Sequence, residues 1–157
     1  MINQLKTILI SFSHLLLTMS YLTLNINKFP SKPKIFLQPP NYVFSFVWTT
    51  LYIIFGLSNL KILYNHNLSD KIKFNIINQS IIESLLHWMW LFTNSILYDY
   101  KYNKIITTLI LIYIIYFSFI RSYYIKKADK FLHYLYIPYK LWIIFALSLQ
   151  ISSLYLV

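Results

Sequence analysis

The chain has 157 residues, of which 58% are hydrophobic and only 11% charged, and its mean hydropathy is +0.56. A soluble domain carries about 25% charged residues, so this composition describes a membrane protein with no room for a separate soluble domain. The formal charge of +10 comes from lysines gathered between apolar runs, where they set orientation and attract anionic lipid head groups rather than nucleic acid. The absence of cysteine excludes disulfides, thiolate chemistry and thiolate metal sites.

Five segments, 5–24, 43–63, 76–98, 105–124 and 134–156, approach the roughly 20 apolar residues that a spanning helix needs. The expected fold is all-α: a single domain over 1–157, an integral, multi-pass membrane bundle of five transmembrane helices with a proline-rich first loop. The first segment has no small-residue cleavage site after its apolar run and reads as a span rather than a leader. The loop over 25–41 holds Pro30, Pro33, Pro39 and Pro40 together with apolar Phe29, Ile35, Phe36 and Leu37. It either packs on helix ends or forms a lid over a cavity. Pro39 and Pro40 stand just ahead of the second segment, where a fixed φ and a missing N–H are tolerated. That segment then presents Trp48, Tyr52, Phe55 and Asn59 at helical spacing.

The third segment carries Gln79, Glu83, His87, Trp90 and Asn94 on one helical face. Such groups are costly in hydrocarbon and belong inside a bundle or in a wet cavity. The stripe is either a polar ladder between helices or a ligand-pocket wall. Glu83 and His87, one turn apart, are placed to hydrogen-bond each other, and Ser80 with Ser84 forms a small-x3-small pair, a candidate dimer contact. Arg121, Lys126, Lys127 and Lys130 read as the cations of the fourth link. With Lys6, Lys61, Lys71 and Lys73 they outnumber Lys28, Lys32, Lys34, Lys101 and Lys104 on the other face and put the N-terminus inside. The fifth segment has Pro138 in its first turns and then Tyr139, Trp142, Ala146, Gln150 and Ser153 on one face. Tyr98, Tyr123, Tyr124 and Tyr155 sit at segment ends, as an interfacial belt requires.

Aromatic rings converging with a few amides describe a pocket for a flat, greasy molecule. No carboxylate pair, nucleophile–base pair or metal-ligand spacing supports hydrolysis or transfer. His87, deep in its segment, is a candidate haem ligand with His14 as its partner; the alternative function is thus a haem-ligating electron carrier or a haem or lipid transporter. His66 and His133 fall in links. Leu132-x-Tyr134-x5-Lys140 fits a loose sterol-binding expression.

Three runs resemble the TspO/MBR family of tryptophan-rich sensory proteins. The first is Pro39-Pro40, Val43-Phe44, Val47-Trp48, Leu51-Tyr52, Gly56 and Ser58. The second places Glu83, His87 and Trp90 on the family's Gln-x3-Asn-x2-Trp pattern, with Trp88 beside it. The third is Asp129, Pro138, Tyr139, Trp142, Phe145 and Ala146. The resemblance implies a five-helix bundle, a homodimer, and a cavity under the first loop. That cavity takes tetrapyrroles such as protoporphyrin IX or haem with no obligatory cofactor, or sterols in mitochondrial members. It places Trp48, Phe55, Glu83, His87, Trp90, Trp142, Ala146 and Gln150 in the pocket. It also implies a photochemical role in porphyrin breakdown for Trp48 and Trp142, and a mitochondrial outer membrane or another cellular membrane. This sequence departs from the pattern in several places. Glu83, His87 and Gln150 replace amides, Ser45-Phe46 replaces Gly-Pro, Leu91-Phe92-Thr93-Asn94 replaces the Pro-x-Phe-Phe continuation, and no Lys or Arg follows Tyr155.

Overall fold

Pro40 stands in an extended conformation at the N-cap of a 24-residue helix, and its carbonyl accepts the N–H groups of Val43 and Phe44. The prolines therefore end the loop and start the helix, as their missing donors dictate. In this computed structural model, which describes residues 2–24, 38–95, 100 and 102–154, all regular structure is α-helical. The helices are α1 (Ile2–Ser11), α2 (Ser13–Leu24), α3 (Asn41–Tyr64), α4 (Asp70–Ser95), α5 (Asn103–Ala128) and α6 (Lys130–Leu154). Most of the expected lid, together with Lys28, Lys32, Lys34, Tyr98, Lys101 and Tyr155, lies outside the described residues.

α3, α5 and α6 are each long and apolar enough to cross a membrane, and α1 with α2 qualifies as one bent unit. α4 is as long as α5, at 26 residues. It does not join them, because Asn78, Gln79, Glu83 and His87 dilute its apolar run. The helices form a closed ring: α2 packs on α4, α4 on α5, α5 on α6, α6 on α3, and α3 returns to α1 and α2. Polarity is inverted relative to a soluble protein. Leu57, Tyr116 and Leu141 are more than half exposed, whereas Asn59, Ser80, Glu83 and Arg121 are completely buried. Hydrocarbon accepts the first set and forces the second inward. Hydroxyls that remain in the spans bond back to their own helix, as Thr107, Thr108 and Ser118 do.

Three expectations are corrected. The first segment is not one straight helix, since α1 and α2 meet at 66° around Phe12. The Ser11 hydroxyl bonds back to the Thr7 carbonyl, and the Ser11 carbonyl accepts from Asn59 Nδ2 at 3.1 Å. A side chain reaching a backbone carbonyl at the bend, with a hydroxyl bonding back beside it, is a recognised cause of a kink. The Phe12 ring lies against Gly56, where any Cβ would collide with it. Pro138 is interior to α6 rather than in its first turns, because the helix starts at Lys130. The ring points outward to an exposed position, where the loss of one backbone bond disturbs no packing. Ser80 and Ser84, expected at a dimer contact, are buried within the chain: Ser80 Oγ accepts from Asn59 and Ser84 Oγ faces Ser13 Oγ.

Candidate functional site

The expected polar face of α4 does point into the ring, and Glu83 occupies its centre with no exposure. Tyr136 Oη donates to both carboxylate oxygens, at 3.1 and 2.9 Å, and Tyr139 Oη donates to Oε2 at 2.9 Å. Arg121 Nη1 stands 4.0 Å from the same Oε2. Arg121 Nη2 donates to Asn59 Oδ1 at 2.8 Å, and Asn59 Nδ2 donates to Ser80 Oγ at 2.9 Å. The guanidinium also lies 3.5 Å from the centre of the Phe55 ring, an attractive cation–π contact. One carboxylate, one guanidinium and two phenols thus tie α3, α4, α5 and α6 together.

One turn further along α4, His87 meets a different environment. Its Nδ1 lies 2.8 Å from the Glu83 carbonyl oxygen. An oxygen of that kind can only accept, so Nδ1 carries a proton, and in the neutral tautomer Nε2 is left as a bare acceptor. Nε2 is buried without a partner, as are both nitrogens of His14 and the indole N–H groups of Trp90 and Trp142. Rings surround it. Trp48 stacks on Tyr52 at 5.4 Å, Trp48 meets His87 edge to face at 5.3 Å, and Trp142 meets Trp48 at 6.2 Å. His14 lies 4.5 Å from His87, edge to face, and stacks on Tyr52 at 4.6 Å. With the two imidazoles in direct contact, a haem plane could enter between them only if they separated.

The structure brings together Trp48, Tyr52, Phe55, Glu83, His87, Tyr139 and Trp142. Ala146 is buried on the same face of α6, and Trp90 packs against the core. Asn94 and Gln150 lie elsewhere. Asn94 Nδ2 bonds back to the Trp90 carbonyl. Gln150 donates to Thr107 Oγ1, fourteen positions and so about 21 Å along α5 from Arg121. The expected Glu83–His87 side-chain bond is not made, because Tyr136, Tyr139 and Arg121 occupy the carboxylate. Arg121, read as a link cation, is completely buried instead. Its signal was present, because it falls inside the apolar run 105–124 and Glu83 supplies an opposite charge within another apolar run. Tyr136 gave no such signal in a chain with 15 tyrosines. Among the described residues no group of three or more His, Cys, Asp or Glu side chains converges as a metal site would require.

The motif residues acquire separate tasks. Asp129 caps α6 by accepting the N–H groups of Phe131 and Leu132. Tyr139 holds Glu83, and Trp142 joins Trp48 in the aromatic wall. A comparison with curated proteins gives no match. The TspO/MBR family model matches residues 7–156, nearly the whole chain, and the protein belongs to that family.

Proposed function

We propose that this membrane protein is a receptor or sensor that holds a flat, hydrophobic, porphyrin-like ligand against Trp48, Tyr52 and Trp142, with His87 beneath. The bent α1–α2 unit and α4 count as spans in this reading, giving five crossings, and the protein works as a homodimer. Family membership supports a sensor-type membrane protein. The observation that carries the ligand is the pair of buried, unpartnered polar atoms among the rings, His87 Nε2 and Trp142 Nε1. The large majority of buried side-chain polar atoms are paired, and an unpaired set among aromatic faces has the chemistry of a site for a ligand with a π surface and polar edges.

Protoporphyrin IX titrated into the detergent-purified protein is expected to quench tryptophan emission saturably, with Trp88 and Trp90 still reporting after Trp48→Phe and Trp142→Phe are combined. The double variant should bind at least about fivefold more weakly, since aromatic contacts of this kind contribute about 0.5–1.5 kcal/mol each beyond burial. Unchanged affinity in the double variant would reject the site. Cholesterol binding as tightly as protoporphyrin would reject the preference for a flat aromatic ligand.

The second reading, haem ligation, rests on the same bare His87 Nε2. It predicts a Soret band that shifts in His87→Ala, and an unshifted band removes it.

A further inference from the structure

Lys140 lies on α6, one of the spans, and its ammonium does not reach a carboxylate among the described residues. The whole chain has four acidic residues. Of these, Glu83 is held by Tyr136, Tyr139 and Arg121, and Asp129 by Lys61. Lys140 Nζ donates instead to the neutral Ser122 Oγ at 2.9 Å across the α5–α6 cleft. His133 Nδ1 stands 3.2 Å from that same oxygen and 3.3 Å from the Ser122 carbonyl. An ammonium has three donors, and one neutral hydroxyl uses one of them. A half-buried cation in a span without a counter-ion is expensive, so the cleft is half of a site whose other half is an anion.

The position selects the source of that anion. α5 is 26 residues and so about 39 Å long, against about 30 Å of hydrocarbon. Ser122, six residues before the end of α5, therefore lies about one helical turn below the head-group level. The α-carbon to β-carbon direction on α6 leads the Lys140 side chain back toward that level. Exposed Lys126, Lys127 and Lys130 stand at the same end, while Phe119 is 54% exposed and lies 5.3 Å from Lys140 Nζ. A basic cleft near the head groups with an apolar ring beside it fits a phosphate that carries acyl chains. The sterol expression that included Lys140 does not form one surface, since Leu132 is buried in the core and Tyr134 is exposed.

We propose that the α5–α6 cleft at Lys140, Ser122 and His133 binds the phosphate of an anionic phospholipid. Full-length protein in neutral detergent would be titrated with phosphatidylglycerol, phosphatidylcholine or inorganic phosphate, and followed by native mass spectrometry and thermal unfolding. Phosphatidylglycerol should give retained adducts and a raised Tm, and the other two should not. Lys140→Gln should weaken phosphatidylglycerol binding by at least about tenfold, as loss of a charged hydrogen bond to phosphate does. The exposed Lys126→Gln should weaken it by about fivefold at most, and Lys140→Arg should retain the preference. Equal binding of both lipids by the wild-type protein would overturn the proposal even if Lys140→Gln failed to fold. So would an undiminished phosphatidylglycerol preference in Lys140→Gln, or an equal response to inorganic phosphate alone.

Discussion

Around Glu83, the carboxylate and the Asn59 amide are held from several helices, while Arg121 Nε and Nη1 make no hydrogen bond and only approach the carboxylate as a charge. Two tyrosines and an arginine address one carboxylate, and Asn59 carries the network on to Ser80 and the Ser11 carbonyl. Around His87, one turn away on the same helix, the buried polar atoms are not held in this way: one ring nitrogen is fixed by a backbone carbonyl while the other, with the Trp142 indole N–H and both nitrogens of His14, has no partner. Both regions are equally dry, with Glu83 at 0% and His87 at 1% exposure. Burial alone therefore does not separate a structural cluster from a binding site; what differs is that the carboxylate at the centre of the first region is bonded and charge-paired from other helices, whereas the polar atom at the centre of the second faces only rings. The first region is a cross-helix network, closed around its carboxylate, that fastens four helices. The second is incomplete without something else.

The sharpest way to break this distinction is to unpair the closed region. Arg121→Met leaves Glu83 as an uncompensated buried charge and should cost about 3–5 kcal/mol. Adding Glu83→Gln should return most of that loss, because it removes the uncompensated buried charge while the amide oxygen still accepts from the tyrosines. Denaturant unfolding in detergent measures both. If Arg121→Met alone were neutral, the ion pair would not be what fastens α4 to α5. Porphyrin affinity in the double variant should stay close to that of the wild type, because no freed group enters the aromatic wall.

Gly56→Ala tests how the second region is assembled. The added methyl meets the Phe12 ring at the α1–α2 bend, and the bend carries His14 to its place against His87 and Tyr52. Overpacking of this kind costs about 1–3 kcal/mol. Phe12→Leu in the same chain should relieve it, and the singles and the double form a thermodynamic cycle. A purely additive double would show that Phe12 and Gly56 do not meet.

Much of this was legible in the residues, and the limits have physical causes. Pro39-Pro40 marked the start of α3, and the spacing of Glu83, His87 and Trp90 gave the inward face of α4, because both signals are local. The break at Phe12 was not legible, since it depends on Asn59, 48 positions away in sequence from Ser11. Gln150 was read into the site because helical spacing fixes a face but not a depth; its partner is Thr107, not Glu83. Arg121 was misplaced because it lies close to the end of its apolar run, where a link and a buried charge look alike until the opposing carboxylate is located.

His87→Phe separates stability from binding. The imidazole already has an unsatisfied Nε2, so an apolar ring of similar shape should change unfolding free energy by no more than about 1 kcal/mol. Porphyrin affinity should nonetheless fall severalfold. A large loss of stability with unchanged affinity would move His87 from the open region to the closed one.

The smallest effect is expected at the exposed ion pair between the last turn of α3 and the α5–α6 junction. Lys61 Nζ lies 2.7 Å from Asp129 Oδ2, with the lysine side chain 54% exposed. The Lys61 hydrogen bond, helped by the N–H groups of Leu132 and Phe131, holds the Asp129 carboxyl below its ordinary range. A carboxyl lowered in the folded state contributes stability above its unfolded value of about 3.9, and the contribution disappears as pH falls through the folded value. Lys61→Gln should therefore lower stability by a constant amount above about pH 5, and the difference from wild type should shrink toward zero in more acidic solution. Its size should stay below about 1 kcal/mol, because water and salt screen an exposed pair. Set beside Arg121→Met, this variant isolates the environment as the variable: the contact is shorter than the 4.0 Å between Arg121 and Glu83, yet the loss should be several times smaller. Equal losses in the two variants would mean that distance, and not enclosure in the bundle, sets the strength of ion pairing in this protein.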